Sequence, residues 1–218
     1  MTLMRFESLS SSEVWDKGMR HIIAKDRVLA KVVARFGVIS RDWSSSDPYE
    51  AIVESFIYQQ ISGSAADSIV RKFRGLYSGR LPSPAQFLKT PAPKVRRAGI
   101  SPQKYSYIRG LCERLVGGEL DLESLRGLPD EEVIAMLDDI KGIGRWTAEM
   151  FLMFSLRRVD VFPMDDLGIQ KGIKEVYGMK HMPNSEKMLE LSEKWKPYRS
   201  VAALYLWRSQ DQPLPDSK

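Results

Sequence analysis

Two groups of residues in this chain have types and spacings suited to chemistry. The first is an acidic pair, Asp165 and Asp166, placed directly before a helical pattern that opens at Leu167. A carboxylate there can stabilise positive charge developing on a reacting carbon, or orient and deprotonate a water. A helix N-terminus also favours its ionised form. The second is Lys141-Gly142-Ile143-Gly144, two glycines in a short hairpin. Glycine permits φ > 0 and keeps side chains out of the way of a closely approaching group. A helix beginning directly after it presents backbone N–H groups and the positive end of its dipole, a seat for phosphate. Lys141 and Arg145 flank that seat with positive charge. The residue types alone allow a plainer role, in which Asp165 and Asp166 merely cap the helix LGIQKGIKEVYG.

The elements that must position these groups follow from periodicity. Residues 137 to 169 read as a helix end, the hairpin, a helix from 145 to 156 that is apolar nearly all round and therefore buried, and a return loop. That helix is about 18 Å long at 1.5 Å per residue. The return segment 157 to 165 spans up to about 30 Å, enough to bring Asp165 and Asp166 back beside the hairpin. Upstream, residues 11 to 36 carry one or two helices with Ser11 or Ser12 as N-cap, and residues 40 to 48 form a loop. Asp47-Pro48 opens a helix, and residues 51 to 77 hold two helices split near Ile61 to Ser64. Ser101-Pro102 caps a helix running to Leu115, and Asp130 caps another reaching Leu137. A last helix starts at Pro197 and carries Tyr198, Val201, Leu204, Tyr205 and Trp207, before a polar tail from Gln210 to Lys218. No stretch alternates long enough for a sheet, so the fold class is all-α.

Bulk composition narrows the class. With 218 residues, 43% hydrophobic and 28% charged, the chain is globular and treated as one unit, 1–218. No apolar run approaches the ~20 residues of a membrane helix, and no signal-peptide core precedes Arg5, Glu7 and Glu13, so an intracellular location is expected. Cys112 is the only cysteine, which excludes an intramolecular disulfide, a cysteine zinc cluster and a four-cysteine iron–sulfur cluster. His21 and His181 leave little for a metal centre. A net charge of +5 is compatible with nucleic acid without requiring it. The densest basic stretch is Lys94, Arg96, Arg97, Lys104 and Arg109.

The run Leu137, Ile140, Lys141-Gly142-Ile143-Gly144, Thr147-Ala148, then Phe162-Pro163 and Asp166, resembles the helix-hairpin-helix (HhH-GPD) DNA glycosylases. Within them it is most similar to the 3-methyladenine DNA glycosylase II branch. The likeness covers most of residues 47 to 207, with the helix-hairpin-helix at about 131–156. It implies a two-lobed helical fold with a cleft between the lobes and no N-terminal β-domain. The implied partner is double-stranded DNA containing alkylated bases, and the implied state a DNA-associated monomer with no membrane contact. The reaction it implies is hydrolytic removal of an alkylated purine, with Asp166 as catalytic residue and Asp165 as the alternate.

The resemblance distributes further roles. Residues 51 to 61 with Ser62 are similar to the segment that pushes a side chain into the DNA stack, which makes Gln60 the wedge and Gln59 its neighbour. DNA contacts then fall to Gln59, Gln60, Ser62, Lys141, Gly142, Ile143, Gly144, Arg145 and Thr147. Trp146 and Trp207 match aromatic positions of the base pocket. An indole face attracts a cationic alkylpurine by on the order of 1–2 kcal/mol when desolvated. Met150 and Leu167 stand where that branch has tyrosines, so the pocket is less aromatic. Relatives that also nick the strand use a lysine two residues after the second hairpin glycine, where this chain has Trp146. No organic cofactor is implied. The carbonyls of Asp138, Ile140 and Ile143 are the implied seat of a monovalent cation, sodium or potassium. Two other readings stay open from the sequence: a non-catalytic helix-hairpin-helix DNA-binding module, and a glycosylase for oxidised or deaminated bases.

Overall fold

Short polar side chains set where the helices begin. Asp26, Asp47, Ser62, Ser83, Ser101, Asp166 and Asn184 each accept a backbone N–H from the first turn they precede. Each satisfies a donor that has no partner inside its helix. The computed structural model describes residues 12–39 and 47–211. In order these form α1 (Ser12–Lys25), α2 (Arg27–Phe36), α3 (Pro48–Tyr58), α4 (Gly63–Gly75), α5 (Pro84–Lys89), α6 (Ala92–Arg97), α7 (Pro102–Gly117), α8 (Asp130–Asp138), α9 (Arg145–Phe154), α10 (Leu167–Val176), α11 (Ser185–Trp195) and α12 (Arg199–Asp211), with a 3₁₀ turn at Ser124–Gly127. The all-α expectation holds among the described residues. No helix among them is long and apolar enough to cross a membrane. Ser11, the 40–46 loop and the tail beyond 211 lie outside the described residues.

The chain divides into two compact units. In described residues, the first joins 12–39 to 152–211 and the second is 47–151. The core of the first contains Trp15, Ile22, Leu29, Ile173, Trp195 and Tyr205, all fully buried. A carboxylate, Asp26, is buried there too. It accepts from Val28 and Leu29 N–H, from the Trp195 indole at 3.0 Å, and from the Tyr177 hydroxyl. Burial pushes its pKa up, and those four donors outweigh burial and hold it below the ordinary value. Helix α10 lies close along α12. A Cβ on Gly172 would come within 2.7 Å of the Leu206 carbonyl oxygen, so only glycine fits that approach.

The core of the second unit contains Ile52, Phe56, Ile57, Phe73, Phe87, Ile108, Leu111 and Leu137. Phe73 and Phe87 meet edge-on at 6.1 Å. Helix α9 begins in this unit, while its last turn, residues 152–154, belongs to the first.

Four boundaries differ from the sequence reading. Pro129, not Asp130, is the N-cap of α8; Asp130, Glu131 and Glu132 instead occupy its first turn, where acidic groups favour the dipole. Helix α9 ends at Phe154 rather than 156, because Arg157 turns to φ +59° and the Arg158 N–H closes on the Leu152 carbonyl at 2.9 Å. Helix α12 starts at Arg199 rather than Pro197, where the Asp160 carboxylate takes the Arg199 N–H and guanidinium. It also runs through Gln210 to Asp211, into the segment read as tail. Helices α5, α6 and α11 were not anticipated.

Candidate functional site

In the second unit the hairpin is built by two tight turns. Ile140 N–H returns to the Leu137 carbonyl and Ile143 N–H to the Ile140 carbonyl, each at 2.9 Å. Ile140 and Ile143 bury their side chains, which pins the loop. Gly142 takes φ +97°, as expected, but the group approaching it is internal: a Cβ would sit 2.4 Å from the Tyr107 ring. Gly144 differs. Its φ is ordinary, and nothing lies within 4 Å of where its Cβ would be. The first bond of α9 is Ala148 N–H to the Gly144 carbonyl at 3.0 Å, so the N–H groups of Arg145 and Thr147 precede the intrahelical ladder.

The flanking charges are unequal. Lys141 is exposed. Arg145 grips Glu131 with both terminal nitrogens, at 3.0 and 2.6 Å, and reaches Glu149 at 3.2 Å. Those partners raise its pKa while the Glu131 pKa is lowered by the same hydrogen bonds. Its positive charge is thereby partly offset, while it still flanks the hairpin with Lys141. The Thr147 side chain is buried, so its expected contact narrows to the backbone.

The α3–α4 junction is tied to this hairpin. Gln59 donates its side-chain amide to the Gly142 carbonyl at 2.9 Å. The Lys104 ammonium donates to the carbonyls of Ile57 and Gln59, at 2.7 and 2.9 Å, and burial lowers its pKa. Gln60, next in the chain, is exposed and held at φ +60°. A non-glycine residue kept in that region costs on the order of 1–3 kcal/mol. Ser62 caps α4 through the Ala65 N–H. Asp138 is the last residue of α8, where the dipole is negative, and Ile140 and Ile143 follow it in the hairpin. An all-oxygen set there suits a hard cation. The Ile140 oxygen spends one lone pair on Ile143 N–H and keeps another. No cluster of His, Cys, Asp and Glu with metal-binding geometry occurs among the described residues.

In the first unit Asp166 is the N-cap of α10, so the plainer reading of this residue is correct as far as it goes. Its Oδ1 accepts Ile169 N–H at 2.8 Å and, in addition, the Trp207 indole N–H at 2.7 Å. Asp165 is exposed and Asp166 half-buried. Trp207 is half-buried, and its ring lies nearly parallel to Phe154 at 6.0 Å and 24°. Leu167 is exposed beside the cap. The expectation that α9 is buried all round fails: Trp146 is 45% exposed and Phe154 39%, and Met150 is half-buried. Among the described residues Trp15 and Trp195 are the core indoles; Trp146 and Trp207 are not. Phe154, Gly168, Tyr107 and Lys104 are the participants that periodicity did not single out.

The glycine hairpin with its open helix start and the Asp166 cap both fall inside one family match. Residues 53–197 match the family described as HhH-GPD superfamily base excision DNA repair protein, and the chain belongs to it. It is 34% identical over 183 residues to DNA-3-methyladenine glycosylase 1 of Schizosaccharomyces pombe, covering 83% of this chain and 80% of that protein. The crystal structure of a DNA-3-methyladenine glycosidase from Bacillus halodurans has a TM-score of 0.80 at 37% identity, covering 96% of this chain and 94% of that one. The S. pombe 3-methyladenine DNA glycosylase in complex with abasic DNA has a TM-score of 0.82 at 32% identity, covering 90% and 98%.

Proposed function

We propose that this chain is a monofunctional DNA glycosylase of base excision repair, which removes alkylated purines such as 3-methyladenine and 7-methylguanine by hydrolysis. The observation that carries the reading is the half-buried Asp166 carboxylate, oriented by a backbone and an indole N–H in a chain of this family. A base inside a duplex must leave the stack to be attacked. The second unit supplies the grip: backbone N–H groups at Gly144 and the start of α9 take phosphate, which sets position and reads no sequence. A monovalent cation on the carbonyls of Asp138, Ile140 and Ile143 would add charge to that grip. Gln60 fills the gap left by the flipped nucleotide, and Trp146 and Trp207 favour a cationic base, with Met150 and Leu167 as the further pocket residues that the family resemblance implies.

In the reaction the N-glycosidic bond breaks with its electron pair going to the purine, which leaves neutral because it was cationic. Positive charge builds on the sugar, where Asp166 stabilises it and orients the water whose oxygen bonds to the anomeric carbon. The water's proton passes to solvent. Trp146 stands where a strand-nicking relative has its lysine, so no Schiff base forms and the product is an abasic site. The working form is a monomer acting on double-stranded DNA. The decisive test is Asp166→Asn on duplexes carrying 3-methyladenine, 7-methylguanine, hypoxanthine or 8-oxoguanine. Release of the alkylpurines lost at least 100-fold, with duplex binding kept, supports the assignment. Unchanged release removes Asp166 from it, and release of only the other bases replaces the substrate class.

A further inference from the structure

Gly168 sits in the first turn of α10, between Asp166 and Trp207. A Cβ there would come 2.9 Å from Trp207 Cδ1, 3.0 Å from Asp166 Oδ1 and 3.1 Å from the indole nitrogen. Its φ is not in the left-handed region, so the backbone does not call for glycine. Glycine also makes a helix weaker than alanine would. The close approach of the indole is therefore what the position serves. Gly172, one turn on, faces the Leu206 carbonyl, the residue immediately before Trp207. Two glycines four apart thus share the face of α10 toward α12. The second lets the backbones close up, and the first leaves the space into which the next side chain of α12 lies.

We propose that Gly168 is a positioning residue, whose missing side chain allows the Trp207 indole to lock the Asp166 carboxylate. Two donors on one oxygen, Ile169 N–H and Trp207 Nε1–H, stop the carboxylate from rotating and fix the direction of its other oxygen. Phe154, packed nearly parallel to the indole, restrains the ring. Trp207 then acts chiefly through its N–H, and its aromatic face is secondary. The inference rests on Asp166 serving the sugar, as proposed above.

The test compares Gly168→Ala, Trp207→Phe and Asp166→Asn. Trp207→Phe keeps an aromatic ring but loses the donor together with the five-membered ring that carries it, and it adds no volume should Gly168→Ala fold poorly. Single-turnover release of 7-methylguanine should fall about 10- to 100-fold in both Gly168→Ala and Trp207→Phe, the scale of a hydrogen bond to a charged group. Affinity for a duplex carrying a tetrahydrofuran abasic analogue should stay within twofold. The Trp207 indole N–H resonance of the intact chain should move in Gly168→Ala as it does in Asp166→Asn. Wild-type rates with an unmoved resonance would overturn the proposal, as would a loss that falls on affinity with the rate unchanged. If Asp166→Asn itself keeps full activity, the functional reading fails first. If only Asp166→Asn is impaired, the positioning role alone is refuted.

Discussion

Gly142 and Gly144 look interchangeable in the sequence, yet replacing each by alanine should have opposite consequences. At Gly142 the new Cβ would lie 2.4, 2.5 and 2.8 Å from three carbons of the Tyr107 ring, against about 3.5–4.0 Å for a normal contact. The ring has little room to retreat, since Phe56 packs on it at 5.6 Å and Gln103 bonds its hydroxyl. Overpacking of this kind costs about 1–3 kcal/mol. Placing a side chain at φ +97° adds about 1–2 kcal/mol, so Gly142→Ala should lose about 2–5 kcal/mol of stability. At Gly144 neither penalty applies, and Gly144→Ala should stay within about 0.5 kcal/mol of wild type. Its methyl group instead occupies the outer side of the hairpin, where phosphate is to sit. Loss of one charged hydrogen bond there corresponds to about 10- to 100-fold weaker binding. Urea denaturation followed by circular dichroism gives the stabilities. Fluorescence anisotropy with an abasic-analogue duplex at fixed salt gives the affinities. Equal stability losses in the two variants would refute the internal account of Gly142. Undiminished DNA affinity in Gly144→Ala would refute the phosphate seat.

Two further outcomes are expected. Asp26→Asn removes a buried carboxylate held by four donors and should cost about 2–3 kcal/mol at neutral pH. Because the folded-state pKa is lowered from 3.8, the wild-type advantage is complete above that value and shrinks as pH falls through the folded-state pKa. Denaturation series at pH 7 and pH 3 test this, and a gap that is constant or widens in acid contradicts it. Glu131→Gln should release part of the Arg145 charge, raising duplex affinity about two- to fivefold at low salt and steepening the salt dependence. An unchanged salt slope would mean that Arg145 does not face phosphate at all.

Much of the architecture was readable because it depends on local rules. Asp47-Pro48 and Ser101-Pro102 open helices by satisfying N–H groups within a few residues, so their caps appear where the residue types put them. Gly142-Ile143-Gly144 followed by helix-forming residues likewise announces a turn and a helix start. Helix α11 carried the same kind of signal, with Asn184 as cap and Met188, Leu191 and Trp195 at helical spacing. Helices α5 and α6 are too short for periodicity to mark them. The start of α12 was misplaced because its determinant, Asp160, is remote in sequence from Arg199. The apolar run of α9 read as a buried helix, but Trp146 and Phe154 are substantially exposed. Composition counts apolar residues without knowing which faces of a helix find a neighbour.

The sequence by itself determined the all-helical class, the hairpin, the acidic cap and the lack of a lysine after the hairpin, because each is written in neighbouring residues. Only tertiary packing decided that Gly142 yields to Tyr107 while Gly144 stays open, that Arg145 is claimed by Glu131, and that Trp207 reaches Asp166 across Gly168. Those outcomes join residues 14, 35 and 41 positions apart in the sequence. No local preference encodes such contacts, since they exist only once the helices have packed.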